Sequence, residues 1–317
     1  MQLANQNIIA MSSDVDEKSI LNIEKFFSPQ GEGVSTIGKP TVWLRTWGCT
    51  NKCRGFGASD PTDESTYDEY TEVYDPREED VSVVQDLPVF KTGCDSRHTW
   101  DPRYRFLAKK ETVSDIADQL EELMKNEFNP DGKFINPHSG KHNHFAITGG
   151  EPMMHQDGII ALLMEFGRRG NAPRYITIET NCTVSMTPEF REFVTSTKYL
   201  DQIVWTFSCS PKLETVSGDD PSIAHKVGVV RQYYRTGCNG YLKIVVRGEQ
   251  RVWDELESRM VEYRRLGIIW DLVVMPVGSD VNGQQLNAGD VANQACARGY
   301  QVTPRAHVQW FGNEHCT

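Results

Sequence analysis

The stretch "TVWLRTWGCTNKC", from Thr41 to Cys53, contains the strongest structural signal in the sequence. Its first seven residues are β-branched, aromatic and apolar in an alternating pattern, which predicts a strand. The strand leads directly into a glycine-flanked loop that holds Cys49 and Cys53, as if to bind a metal. A compact site with three thiolates would need another cysteine at position 56, where Phe56 stands. Either the site is inactive or its third ligand lies elsewhere.

Further strands and helices alternate along the rest of the chain. The predicted strands are "HFAITGG", "RYITIET", "QIVWTFS", "YLKIVV", "WDLVVMP" and a last strand near the end. The predicted helices lie near "TVSDIADQLEELMKN", "DGIIALLMEFGRR", "TPEFREFVTS", "RVWDELESRMVEYRRLG" and "AGDVANQACARG". This alternation indicates an α/β protein with parallel βαβ units, either doubly wound or barrel-like. In both architectures, ligands bind at the carboxyl ends of the strands.

Composition limits the class of protein. The chain has 317 residues and a formal net charge of −11, which argues against nucleic acid or an anionic membrane as a partner. A single domain over 1–317 that acts on a small substrate is expected. Residues 1–20 show no basic region followed by an apolar run, so we expect a mobile N-terminal segment and a cytoplasmic protein. The eight cysteines are then metal ligands or ordinary buried thiols rather than a disulfide framework.

The third cysteine of the loop is found beyond an acidic insertion. Residues 58–91 are dense in Asp, Glu, Ser, Thr and Pro, which predicts a solvated insertion. We expect its second half to pack against the body of the protein and its first half to be mobile. The chain then returns with "KTGCDSRHTWD", in which Cys94 follows a glycine. Removal of the insertion would place Cys94 close behind Cys53, and loop-closure cost rises slowly enough with length to permit such an insertion.

Two metal centres fit this cysteine set. Three thiolates suit an iron-sulfur cluster that leaves one iron open for a further ligand. The same three cysteines joined by His98 would instead suit zinc, since the spacing from Cys94 to His98 lies in the usual range. Spacing alone favours neither centre.

The motifs "TGGEP", "IETN" and "SCSPKL" follow three predicted strands and so belong to the same end of the sheet, but each is a weak signal by itself.

Taken together, these motifs resemble the radical S-adenosylmethionine enzymes, and within them the 7-carboxy-7-deazaguanine synthases. The likeness extends from about Phe26 to the end of the sequence, apart from the insertion. "FFSPQGEG" is similar to the substrate-contacting opening of that family, and "GKPTVWLRTWGC" to its strand and cluster loop. "CDS", "TGGEP", "IETN", "SPK", "LKIVV", "MP" and "VTPRAHVQWFGN" follow in the expected order.

The resemblance implies a shortened, partial (β/α) barrel and a particular reaction. Cys49, Cys53 and Cys94 would hold a [4Fe-4S] cluster whose fourth iron binds S-adenosyl-L-methionine. Reductive cleavage of this cofactor gives a 5′-deoxyadenosyl radical, which abstracts a hydrogen from 6-carboxy-5,6,7,8-tetrahydropterin. The pterin then contracts its ring and loses ammonia to give 7-carboxy-7-deazaguanine. The radical regains its hydrogen at the end, so the cofactor is used catalytically.

The resemblance also assigns residues to each ligand. The residues implied for S-adenosylmethionine are Asp95, Gly150, Glu151, Glu179, Asn181, Ser210, Lys212, Met275 and Pro276. Those implied for the pterin are Gln30, Gly31, Glu32, Arg45, Thr148 and His307, with Arg45 paired to the substrate carboxylate. Ser96 takes the place of a threonine that ligates Mg²⁺ in this family.

The family also implies a homodimer and an electron donor such as flavodoxin. Two alternatives stay open at this point. One is a radical activase that installs a glycyl radical on a partner protein, and the other is a non-catalytic zinc-binding protein on the same scaffold.

Overall fold

A computed structural model of the protein describes residues 18–312 and 314–317. Within these residues, nine strands form one sheet in the order β3-β1-β2-β4-β5-β6-β7-β8-β9. The strands are β1 (Ser19–Pro29), β2 (Pro40–Thr46), β3 (Lys109–Thr112), β4 (His144–Gly149), β5 (Tyr175–Thr180), β6 (Val204–Cys209), β7 (Asn239–Val246), β8 (Leu272–Pro276) and β9 (Gln301–Val302).

The sheet is parallel from β2 through β4 to β9, and β1 pairs antiparallel with both β2 and β3. The parallel strands follow one another in chain order, as in a partial barrel and unlike a doubly wound sheet. Because crossovers between parallel strands are right-handed, this order puts the connecting helices on one face. The helices are α1 (Glu69–Val73), α2 (Val113–Leu123), α3 (Gln156–Arg168), α4 (Pro188–Leu200), α5 (Glu214–Ser217), α6 (Pro221–Ala224), α7 (Val227–Tyr234), α8 (Gln250–Arg265), α9 (Val281–Ala297) and α10 (Ala306–Phe311).

The two faces of the sheet differ in chemistry because side chains alternate along each strand. Leu44, Ile147 and Ile178 belong to the main hydrophobic core, which also contains residues from the connecting helices. Their strand neighbours Arg45 and Thr148 line a cavity instead. The sheet therefore has one face that packs on helices and one face that carries polar groups.

The predicted α/β class is confirmed, but the sequence did not predict β1. Residues 1–17 of the predicted mobile segment lie outside the described residues. Its last two residues begin β1, where Ile20 is fully buried. The burial of β1 alternates strictly between buried and half-buried positions, and two residues of its buried face, Glu24 and Phe26, line the cavity described below.

The insertion at 58–91 is folded along its length. In the second half, Val84, Leu87 and Phe90 form a small core with Tyr104 and Leu107 of the body, as the sequence predicts. The first half also makes defined contacts, although we expected it to be mobile. There, the Tyr67 hydroxyl donates to the Pro61 carbonyl (2.8 Å), and the guanidinium of Arg54 lies over the Tyr67 ring.

Among the described residues, none of the helices has the length and apolar character that a membrane span requires.

Candidate active site

A cavity of about 270 Å³ opens at the carboxyl ends of the parallel strands. It collects most of the residues that the sequence assigns to a site. The predicted residues that line it are Cys49, Cys53, Cys94, Asp95, Ser96, Gly31, Glu32, Arg45, Thr148, Gly150, Glu179, Asn181, Ser210, Lys212, Met275, Pro276 and His307. Gln30 and Glu151 are fully buried and do not line it.

The three predicted cluster cysteines share this cavity. Cys49, Cys53 and Cys94 are all free thiols. Burial raises the pKa of Cys49 to about 12 and that of Cys94 to about 11, and it raises the pKa of Cys53 well above its ordinary value. The thiols are therefore neutral near pH 7 by themselves. A bound metal would be needed to stabilise them as thiolates.

Backbone contacts explain how Cys94 reaches the loop across the insertion. The Gly93 N–H donates to the Phe56 carbonyl at 2.6 Å, so the chain leaves and re-enters the loop at one point. Cys53 has a φ of 51°, which is rare for a residue other than glycine. The Asp219 carboxylate accepts the Cys53 N–H at 3.1 Å and holds this turn from the segment after β6.

The paired glycines of "TGGEP" are required by close packing. A Cβ on Gly150 would lie 2.0 Å from the Gly48 carbonyl oxygen and 2.9 Å from the Cys49 Cβ. On the other side of the loop, the Gly48 N–H donates to the Thr99 carbonyl at 2.6 Å. The glycines thus allow the end of β4 to lie directly against the first cysteine.

Glu151 supports the site from inside the protein. Its carboxylate accepts hydrogen bonds from the Thr180 hydroxyl (2.8 Å), the Asn181 N–H (2.8 Å) and the Met153 N–H (3.0 Å). Burial raises its pKa to about 7, although these hydrogen bonds oppose the shift. In this structure Glu151 holds the ends of β4 and β5 together, whereas the resemblance implies contact with the cofactor.

The pKa of Glu151 predicts how stability depends on pH. Because the folded-state pKa lies above its ordinary value of 4.5, the contribution of Glu151 is fully present below about pH 4.5. It should be lost as pH rises through 7, by up to about 3 kcal/mol. Glu151→Gln should remove this part of the pH dependence. Urea unfolding of the reduced, cluster-free chain between pH 5 and 8 measures the free energy of unfolding at each pH. If this free energy changed equally with pH in Glu151→Gln and in the unchanged protein, the prediction would be wrong.

Asn181 connects the end of β5 to the cysteine loop. Its side-chain amide donates to the Thr50 hydroxyl at 2.9 Å and to the Cys49 sulfur at 3.6 Å. Hydrogen bonds to a ligand sulfur alter the reduction potential of an iron-sulfur cluster. The asparagine of "IETN" can therefore act on the cluster ligand as well as on a bound nucleoside.

Five charged residues form a continuous ionic chain across the floor of the cavity. Lys243 of β7 pairs with Glu32 (2.5 Å) and Glu179 (3.2 Å), and Arg305 pairs with Glu32 (3.0 Å) and Asp95 (2.5 Å). Burial opposes ionisation of Glu32, but Lys243 and Arg305 outweigh it and hold its pKa well below the usual range. Arg305 likewise lowers the pKa of Asp95 to about 2 against the effect of burial. Glu32 and Asp95 are therefore ionised at pH 7.

Arg45 lies beside this chain, on β2. Its Nε is 2.6 Å from a carboxylate oxygen of the buried Glu24, and its Nη1 donates to the Ser96 hydroxyl at 2.9 Å. Ser96 is in turn 3.2 Å from a carboxylate oxygen of Asp95. The predicted anion-binding and Mg²⁺-binding residues are thus in direct contact.

Sequence reasoning did not assign Lys243, Arg305 or Glu24 to the site. Lys243 interrupts the apolar strand "YLKIVV", and a buried lysine in such a strand requires a charged partner. That charged residue within an apolar strand was the feature of the sequence that could have assigned Lys243 to the site. Glu24 had no comparable signal, because its strand was not predicted.

The residues present fit a [4Fe-4S] cluster. Three free cysteines converge on one cavity from two segments of chain, and soft sulfur donors are the preferred ligands of such clusters. A three-cysteine cluster loop beside a polar cavity at the strand ends of a partial barrel is the arrangement of the radical S-adenosylmethionine class.

Curated relatives agree with this class. A 7-carboxy-7-deazaguanine synthase of Halobacterium salinarum is 25% identical over 302 residues, which cover 90% of this chain and 88% of that protein. The synthase of Rhodopirellula baltica is 27% identical over 315 residues, which cover 95% of this chain and 90% of that protein. The synthase of Pyrobaculum aerophilum is 24% identical over 293 residues, which cover 92% of this chain and 94% of that protein. Over most of its length the chain is thus similar to 7-carboxy-7-deazaguanine synthases, the family that its motifs resemble.

Other comparisons contribute less. No protein-family model matches the sequence. The solved structure of native anSMEcpe with bound AdoMet is 13% identical, with a TM-score of 0.38, and the match covers 67% of this chain and 59% of that one. The structure of the same protein with bound AdoMet and Cp18Cys peptide is 12% identical, with a TM-score of 0.36. That match covers 60% of this chain and 54% of the other. This likeness is too distant to support an inference.

Proposed function

We propose that the protein converts 6-carboxy-5,6,7,8-tetrahydropterin to 7-carboxy-7-deazaguanine, with loss of ammonia, in a reaction that depends on S-adenosyl-L-methionine and Mg²⁺. The main observation behind the proposal is that three free cysteines and a buried ionic chain line the same cavity. The names of the similar proteins support the same reaction.

Cys49, Cys53 and Cys94 would hold the cluster, which when bound supplies the electron that cleaves S-adenosylmethionine to a hydrogen-abstracting radical. Gly150 permits close approach to the first cysteine. Asn181, Ser210, Lys212, Met275 and Pro276 would surround the cofactor, since all of them line the cavity near the strand ends. Glu151 holds the backbone of Asn181 in place from behind.

The ionic chain would receive the pterin. A pterin presents N–H donors on its aminopyrimidinone edge, and carboxylates accept such donors well. Glu32 and Glu179 are two carboxylates that line the cavity, and both pair with Lys243. Because these charges are already paired within the protein, the cavity floor is rigid and presents a fixed pattern of acceptors to the substrate.

The Ser96 hydroxyl would ligate Mg²⁺ beside the substrate carboxylate. An oxygen donor suits Mg²⁺, and a carboxylate oxygen of Asp95 lies 3.2 Å from the Ser96 hydroxyl. Arg45 would then bind the other side of the carboxylate, with its side chain 20% exposed to the cavity.

Arg45→Ala separates substrate binding from cofactor cleavage. We expect the KM for the pterin to rise by at least about 30-fold, because the lost charge-assisted contact is of the order of 2 kcal/mol. Uncoupled cleavage of S-adenosylmethionine should persist. Arg105→Ala is the matched control, since this arginine is exposed and lies outside the cavity. If Arg45→Ala reduced both activities equally, its bond to buried Glu24 would be its main role.

One anaerobic assay tests the function. The reconstituted protein is incubated with carboxytetrahydropterin, S-adenosylmethionine, Mg²⁺ and a reductant, and the products are measured by mass spectrometry. Formation of 7-carboxy-7-deazaguanine with catalytic use of the cofactor supports the proposal. Cofactor cleavage without any pterin product would instead favour an activase, and a colourless protein that contains zinc would favour a binding role.

The remaining assignments are part of the same proposal. We propose a single functional domain over 1–317, a cytoplasmic location, a homodimer, and an electron donor such as flavodoxin. The insertion at 58–91 connects the two proposed cluster ligands Cys53 and Cys94, so it would emerge beside the cluster and would contact that donor.

A further inference from the structure

Segment 314–317 meets β1 and the loop after Cys94 at one wall of the cavity. There, Glu24 of β1, His98 and His315 each offer a ligand atom, and these atoms lie within 4.8 Å of one another. Glu24 is 5% exposed and His98 is 3% exposed. The proposed reaction gives none of the three a role.

His315 is arranged like a metal ligand. Its Nε2 is buried and has no hydrogen-bond partner among the described residues. The backbone of Pro88 lies beside the same ring. With its proton on Nδ1, the imidazole keeps a lone pair on Nε2. Metal-bound histidines commonly donate the other ring N–H to a carbonyl.

The other two residues complete a compact donor set. The Nε2 of His98 is 3.2 Å from a carboxylate oxygen of Glu24, and the two imidazole rings meet edge to face at 5.0 Å. The Cys316 thiol donates to the second oxygen of Glu24 at 3.0 Å. Arg45 pairs with the same carboxylate. Because a carboxylate has two oxygens, it can bind a cation without losing Arg45.

We propose that Glu24, His98 and His315 bind one divalent transition-metal ion of the zinc type, separate from the three cluster cysteines. Two imidazoles and a carboxylate are a common ligand set for Zn²⁺. Mg²⁺ would not select these residues, because it prefers oxygen ligands.

The ion would fasten the insertion and segment 314–317 to the sheet. Pro88 and Gln85 of the insertion contact His315 and Cys316, respectively. A metal bound to Glu24 of β1 would therefore join three segments that are distant in sequence. All three segments contribute to one wall, and Glu314, His315, Cys316 and Thr317 all line the cavity.

Metal binding by the full-length protein tests the proposal. The cluster is reconstituted anaerobically, and Zn²⁺ binding is measured by equilibrium dialysis against a competing chelator, with zinc and iron determined separately. We expect one zinc per chain in addition to the iron. His315→Ala and Glu24→Gln should each weaken zinc binding by about 100-fold or more, since even loss of an outer contact to a ligand weakens binding by 10- to 100-fold. His138→Ala, an exposed histidine, should have no effect.

A second set of variants separates this site from zinc in the cluster loop. Replacement of Cys49, Cys53 and Cys94 by alanine should leave the zinc site intact. His315→Cys, which keeps a ligand at this position, should restore binding lost in His315→Ala and so exclude a folding defect. The proposal is overturned if zinc is lost with the three cysteines but kept in His315→Ala. It is also overturned if the unchanged protein does not bind zinc with a dissociation constant below about 1 µM.

Discussion

Cys94→Ala should abolish the iron-sulfur absorbance and reduce cleavage of S-adenosylmethionine below detection. Two cysteines cannot hold a cluster that needs three thiolates and one open iron. Cys94 lines the same cavity as Cys49 and Cys53, and the Phe56–Gly93 backbone hydrogen bond closes the loop between them. Anaerobic reconstitution followed by iron analysis and electron paramagnetic resonance measures the loss.

Cys238→Ala is the matched control for this variant. Cys238 is a buried thiol, 6% exposed, in the hydrophobic core and outside the cavity. Its loss should leave the cluster and cofactor cleavage intact. A full [4Fe-4S] cluster in Cys94→Ala would show that another residue is the third ligand and that the insertion does not return the chain to the cluster.

Lys243→Met should destabilise the fold by about 3 to 5 kcal/mol, because removal of one partner from a buried ion pair leaves an uncompensated charge. The side chain of Lys243 is 6% exposed and neutralises both Glu32 and Glu179. The loss should also disrupt the arrangement of these two carboxylates that we propose binds the substrate. Urea unfolding of the reduced, cluster-free chain gives the free energy of unfolding.

Lys125→Met provides the comparison for Lys243→Met. Lys125 pairs with Glu122 on the surface, where both side chains are largely exposed, so its loss should change stability by less than about 1 kcal/mol. In addition, Lys243→Met combined with Glu179→Gln should cost less than the sum of the two single changes, because the residues are in contact. Additive costs would mean that the ionic chain does not act as a unit.

Much of the architecture could be predicted from local patterns. The alternation of strands with helices along the chain predicted the parallel sheet, and the alternating residues of "TVWLRTW" predicted β2. The strand β1 was missed because it lies next to an uninformative N-terminal stretch. Its partners in the sheet, β2 and β3, are far apart in sequence, so its pairing depends on the complete fold.

The amino-acid sequence by itself determined the cysteine positions, the motifs at the strand ends and the resemblance to a known family. Those features depend on residue type and on spacing over a few positions. Only the tertiary structure decided which charges pair: Lys243 with Glu32 and Glu179, and Arg305 with Asp95. It also brought Glu24, His98 and His315 together across nearly the whole chain. The energy of such contacts depends on distance in space and on burial, and neither can be read from separation along the sequence.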